Sequence, residues 1–338
     1  MKNKKSFFLL LIICLFSMFC QSVFGEQFVA DHTVATEDVL RSIPQEYIDA
    51  VRENLHIAYQ HTSHGTHVSR GMFGLQDYKD GDDILFGIEN HTVPGTPVEG
   101  KLNFYDYAIR ETPATDLSVN ETTFVQLTRD YLDAPENAHI NVVMWSWCDI
   151  AGHNAEGNYL PGMQTLIDEY GSDGSKIGSG SGSGQRQEPV TFIFMTGHAN
   201  KEANTGFLQP KPQADLINNF SRTNGYFCLD YYNIDTHDMD GNYWEDAGDN
   251  GDSTTGGNFY QDWQDSHTLG QDWFENKLSP GGSVAYGAHN TQHITANRKA
   301  YAMWWILARI AGWSGDNSES SHSFNPQLML LLLKNSSE

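Results

Sequence analysis

The chain has 338 residues, with 20 basic against 43 acidic side chains and a formal net charge of −23. A surface this acidic repels nucleic acid and anionic lipid, which excludes both as partners. The length is enough for one large domain or two small ones, with a sizeable core.

The first stretch reads as a targeting segment. MKNKK is a basic start, SFFLLLIICLFSMF is an apolar run, and 22-SVFG-25 offers small residues for cleavage after Gly25. Phe19, directly before Cys20, is too large for a lipoprotein signal, so residues 1–25 predict ordinary secretion to the periplasm or the extracellular space. No membrane span is expected after cleavage. Three lysines leave with the signal, so 17 basic residues face 43 acidic ones at a net charge of −26. Cys14 and Cys20 leave as well. Cys148 and Cys228 alone are no disulfide scaffold. They either pair after export or stay as buried thiols.

Beyond the signal, helical and strand patterns alternate. A helix over 45–54 precedes the apolar strand 55-LHIAYQ-60, and a second helix comes after Gly65. The spacing then predicts a helix over 122–134, a buried strand over 139–147, a helix over 158–171 and a strand over 190–197. A helix over 211–225 and a strand over 226–234 come next. The last helix spans 294–313, with Thr295 as its start cap and Gly312 at its end. The Gly/Ser-rich stretch 171–189 reads as a flexible surface loop inside one domain over 26–315, with a tail over 316–338. The apolar run of that tail is too short to span a membrane. Strands that are continuous apolar runs, alternating with helices, predict a three-layer α/β/α domain around a mainly parallel, flavodoxin-like sheet.

Parallel sheets bind ligands outside the carboxyl ends of their strands. Here those ends run into 61-HTSHG-65, 148-CDIAGHN-154, 197-GHAN-200 and 235-DTHDMDGNYWED-246, and 287-GAHNTQH-293 precedes the last helix. Ser63, between a strand and a helix start with Gly65 behind it, suits a nucleophile, because helix-start N–H groups stabilise an oxyanion. It equally suits a helix cap. His293 is a candidate general base, with His289 as its rival and Asn290 placed to orient it. His198 could contact substrate or the oxyanion, and Ser146, His61 and His64 flank the same edge. Cys148 reads as structural, because no neighbour in sequence supplies a cation to activate it. The acidic loop carries Asp235, Asp238 and Asp240 in a D-x-D-G context. Alternating hard oxygens suit calcium, although an EF-hand register puts Thr236 and Ala247 where carboxylates belong. A plain solvated acidic loop is the other reading.

On these residues the chain resembles the SGNH (GDSL-like) hydrolases. Ser63 matches the family's nucleophile by position, and 290-NTQHITANRKAYA-302 looks like its terminal block. The resemblance implies a flavodoxin-like esterase or carbohydrate O-deacetylase with His293 as base. The chain departs from the family in reading HTSHG instead of GDS, WSWCD instead of G-x-N-D, and Asn290 where the triad aspartate stands. HTSHG, WSWC, MTGH and the AH…WW…ARIAGW ending are similar to a divergent secreted bacterial branch.

The residues support three functional expectations. The first is a secreted serine hydrolase on esters or acylated polysaccharide, with no required cofactor, Ser63 as nucleophile and Gly65 near the oxyanion. The second is a zinc hydrolase assembled from His61, His64, His198 and His289. The third is a non-catalytic glycan-binding or adhesion protein, presenting some of the eight tryptophans and fifteen tyrosines as stacking surfaces.

Overall fold

The structure is a computed structural model that describes residues 28–91, 95–109, 115–178 and 186–315. The predicted signal and tail, and the centre of the Gly/Ser-rich stretch, lie outside the described residues. The chain runs β1 (Val29–Ala30), α1 (Glu37–Ser42), α2 (Gln45–Asn54), β2 (His56–Gln60), α3 (Thr66–Leu75), α4 (Asp82–Leu85), β3 (Ile88–His91), β4 (Leu102–Asp106) and α5 (Phe124–Asp133). It continues through β5 (Val142–Trp145), α6 (Leu160–Tyr170), β6 (Thr191–Met195), α7 (Pro210–Asn224), β7 (Cys228–Leu229) and α8 (Tyr231–Asp235). A two-stranded ribbon β8 (Asp252–Ser253) and β9 (Gly257–Asn258), α9 (Phe259–Ser266) and α10 (Ile294–Ile310) complete it.

Seven strands form one sheet in the order β1-β7-β6-β5-β2-β4-β3, and every pair is parallel. Alternate strand residues serve opposite faces. Ile57, Tyr59, Phe104 and Met144 join one apolar core, while Ala58, Tyr105, Val143 and Trp145 join the other. The first core is covered by α1, α2, α3 and α10, the second by α5, α6 and α7. This is the expected three-layer α/β/α architecture, and burial on both faces explains why the strands read as unbroken apolar runs.

The last helix is the keystone of the first layer. Every residue from Ile294 to Arg309 is buried, including the cations Arg298, Lys299 and Arg309. Arg298 donates to the carbonyls of Ile234 at 3.1 Å and His237 at 2.5 Å, and Lys299 donates to Asp235 at 2.6 Å. Without such partners these charges could not leave water. Helix α3 lies so close to α10 that a Cβ at Gly71 would stand 2.2 Å from the carbonyl oxygen of Ala296.

Several expectations need correction. The run 226–234 is strand only at Cys228–Leu229. Asp230 accepts from the Asn233 N–H and starts α8 instead. Thr295 is not the cap of α10. It lies inside the helix, and its hydroxyl donates to the Gln292 carbonyl at 3.2 Å. The edge strands β1 and β3, and β4 beside β3, have no clear sequence signal, because they are short or carry polar residues such as Glu89 and Asn103. The Gly/Ser-rich stretch ends in an anchor. Arg186 is buried and donates to the carbonyls of Leu132, Asn137, Ala138 and Ile140. Cys148 and Cys228 are both free thiols.

Gly71→Ala should destabilise the protein by about 1–3 kcal/mol, the usual cost of overpacking, although alanine is intrinsically the better helix former. Urea denaturation measures this, and a higher midpoint in the variant would refute the close α3–α10 approach.

Candidate functional site

The order of the sheet reverses around β2. The chain leaves β2 toward β4 and β3 on one side, then returns through α5 to β5 on the other. The crevice at the carboxyl ends of β2 and β5 is therefore the topological switch point, where open α/β sheets hold ligands. Beyond β2 the chain enters the turn Ser63–Gly65, and beyond β5 it reaches Ser146 and Cys148.

The turn is built from beneath. The Tyr59 hydroxyl donates to the Gly65 carbonyl and the Tyr231 hydroxyl to the His64 carbonyl, each at 2.9 Å. A Cβ at Gly65 would meet Ser146 Oγ at 2.4 Å and His61 Cβ at 2.5 Å, so only glycine lets the turn sit this deep. Ser63 holds φ at +47°, a left-handed conformation that costs on the order of 1–3 kcal/mol and persists only where the surroundings impose it. Among the described residues, none accepts the backbone N–H of Ser63 or of His64. Both are free donors at a helix start. The Gly65 N–H is not free, because it donates to the Thr62 carbonyl at 2.9 Å, which removes it from the expected oxyanion set.

A second segment is fastened to this turn. The Thr66 hydroxyl donates to the Ser63 carbonyl at 2.7 Å and accepts from the Ala288 N–H at 3.2 Å. His67 Nε2–H donates to the Ala288 carbonyl at 2.8 Å. Ala288 is thus held at both ends, and the next residue, His289, also has a positive φ of +70°. The result is a hydrogen bond of 2.6 Å between Ser63 Oγ and His289 Nε2.

Around this pair stand three stacked imidazoles. The His64 ring lies 3.5 Å from His198 on one side and 4.4 Å from His289 on the other, centre to centre. His64 Nδ1 donates to the Cys148 carbonyl at 2.8 Å, and Nε2 faces Asp249 Oδ2 at 3.5 Å. Burial opposes a charge on His64, but Asp249 and Cys148 outweigh it and push its pKa up to about 9. Burial likewise opposes charge on Asp249, yet His64 holds it well below the usual carboxylate range. Asn290 Nδ2 adds a bond to the same carboxylate at 3.0 Å. Burial, then the charge on His64, push His198 down to about 4. His64 also draws the Cys148 thiol below its ordinary range. The middle ring is therefore cationic and His198 neutral.

Not every expected residue belongs to this cluster. His293 does not meet Ser63. Its Nδ1 accepts from the Asn276 N–H at 3.0 Å, and its ring is packed against Tyr286 and Trp273. His289 takes the place expected for it. His61 turns away beneath Gly65 and bonds Asp106 Oδ1 at 2.7 Å, so it leaves the four-histidine set. Ser146 packs under Gly65, and Asn290 orients Asp249 instead of a histidine base. Two of the three carboxylates of the expected calcium loop are engaged elsewhere. Asp235 is fully buried on Lys299, while Asp238 accepts from Asn242, from Trp244 Nε1 and from the Asp240 N–H. Among the described residues the one group with metal-ligand spacing is His64, Cys148 and His289.

Asp249 is the member of this cluster that sequence reasoning missed. It stands among seven carboxylates between positions 235 and 252, and nothing local separates it from the rest. Its position depends on Asn204, whose side chain grips the carbonyls of Glu245 at 2.8 Å and Ala247 at 2.7 Å.

Fold and site together define a parallel α/β protein with a hydrogen-bonded serine–histidine pair at its switch point. Comparison of the chain with protein-family models, with curated proteins and with solved structures finds no match.

The His64 shift has a testable sign. A histidine whose folded pKa is raised stabilises the protein fully below its unfolded value, about 6.5, and loses that contribution as pH rises through about 9. Denaturation midpoints should therefore fall over that interval. In Asp249→Asn, NMR titration should show a lower His64 pKa, and the alkaline fall should shrink. An unchanged His64 titration in that variant would refute the pairing.

Proposed function

We propose that the protein is a secreted hydrolase of acyl esters, with Ser63 as nucleophile and His289 as general base. The observation that carries this reading is the 2.6 Å bond between Ser63 Oγ and His289 Nε2, on a strained turn at the carboxyl edge of the sheet. A serine hydroxyl needs a base within such reach to attack a carbonyl. Of the two histidines in 289-HNTQH-293, His289 alone has that reach, and it is exposed enough to meet a substrate.

In this mechanism Ser63 Oγ attacks the acyl carbon as His289 Nε2 takes its proton. The free N–H groups of Ser63 and His64 face the developing oxyanion, and the His64 cation adds positive charge beside them. His289 then passes the proton to the departing alcohol oxygen. Water, deprotonated by the same ring, releases the carboxylic acid. The His64 cation, which no neighbour in sequence revealed, draws the Cys148 thiol toward thiolate and makes it the runner-up nucleophile, but the bond to the exposed base His289 is made by Ser63. The acidic surface disfavours anionic substrates and leaves neutral esters, including O-acyl groups on polysaccharide, as the better class. The apparent signal over 1–25 and the likeness to SGNH hydrolases in motif order support the same reading.

Short acyl esters and acetylated xylan test it. Ser63→Ala and His289→Ala should each lower kcat by about 10³-fold or more, while His293→Ala stays within a few-fold of wild type. Activity retained by Ser63→Ala would sink the proposal.

A further inference from the structure

The cluster around Ser63 has a second chemical competence that ester hydrolysis does not use. One nitrogen of His64, one of His289 and the Cys148 Sγ all lie within 4.8 Å of one another. Two imidazoles and a thiolate suit a soft, tetrahedral dication such as zinc. Ligand atoms around zinc stand roughly 3.3–3.8 Å apart, so small side-chain rotations would close the site. Two independent features favour coordination. His64 presents Nδ1 toward Cys148, with Sγ at 4.0 Å, and its opposite nitrogen toward Asp249 at 3.5 Å. A carboxylate behind a ligating histidine is the usual outer support of zinc sites. Asn290 holds that carboxylate in turn, so the support is itself oriented.

We propose that this face binds one zinc ion through His64, Cys148 and His289, and that occupancy switches off the serine chemistry. The inference rests on His289 being the base. A metal on either nitrogen of His289 leaves the other as an N–H donor, which cannot accept the Ser63 proton. Binding replaces the Cys148 thiol proton and the His64 Nδ1 proton, releasing both to solvent. Hydrolysis and zinc binding are then mutually exclusive uses of one ring.

The test uses the metal-free protein. Calorimetric titration with Zn²⁺ should show one saturable site, and Co²⁺ in its place should give a thiolate-to-metal charge-transfer band. Cys148→Ser should weaken Zn²⁺ binding at least tenfold and abolish the band. Ser63→Ala, which removes no ligand, should bind like wild type. Ester turnover, each protein normalised to its own metal-free rate, should fall with zinc occupancy and return with chelator, and in Cys148→Ser the inhibition should shift to at least tenfold higher zinc. Absence of saturable binding, equal affinity in Cys148→Ser, binding without inhibition, or activation by zinc would each overturn the proposal. If the serine reading is wrong, the metal-free protein shows no Ser63-dependent turnover, a failure that appears before any metal is added.

Discussion

The site depends on the clamp that fastens Ala288 to the first turn of α3. Thr66 and His67 satisfy its N–H and carbonyl together, joining segments more than two hundred residues apart in sequence. Without that clamp the serine turn would still exist, but nothing would bring His289 to it. His67 does this as a neutral imidazole. Burial, reinforced by nearby Lys299, keeps its pKa well below 6.5, so Nε2 donates to the carbonyl while Nδ1 remains free to face Thr295.

Four histidines within one small volume thus carry different assignments, and environment alone decides them. His64 is charged because Asp249 stands at its far nitrogen. His198, pressed against that charge, is neutral. His67 is a structural donor, and His289 alone is exposed to solvent. An ordered array of this kind gives the serine turn both an imidazole within hydrogen-bond reach and a fixed cation supplied by a histidine. It suits a protein whose surface is overwhelmingly acidic.

Much of this was legible in the amino-acid order. The buried strands of a doubly covered sheet have an unmistakable signature, and the polar residues at their carboxyl ends placed HTSHG, WSWCD, MTGH and AHNTQH on one edge. Four things were hidden. The choice between His289 and His293 turns on a positive φ and a clamp, neither of which leaves a local pattern. Asp249 was one acid among many, selected by the Asn204 grip on distant carbonyls. The short strands β1 and β3 exist because the sheet offers them partners, since two to four residues have no propensity strong enough to announce themselves. Arg186 was masked by the Gly/Ser composition around it.

The placement of β1 and α10 has a consequence for how the molecule comes into being. β1 is the first described strand, yet it pairs with β7, whose residues come about two hundred positions later. The helix that fills the first core is the last described element, and the histidine segment that completes the serine pair directly precedes it. Neither the edge of the sheet nor the deepest layer can form while most of the chain is still being made. Such long-range closure is slow. A nascent chain therefore exposes α3 and the sheet face beneath it until α10 has been made, and its serine–histidine pair comes into existence only when that helix is in place.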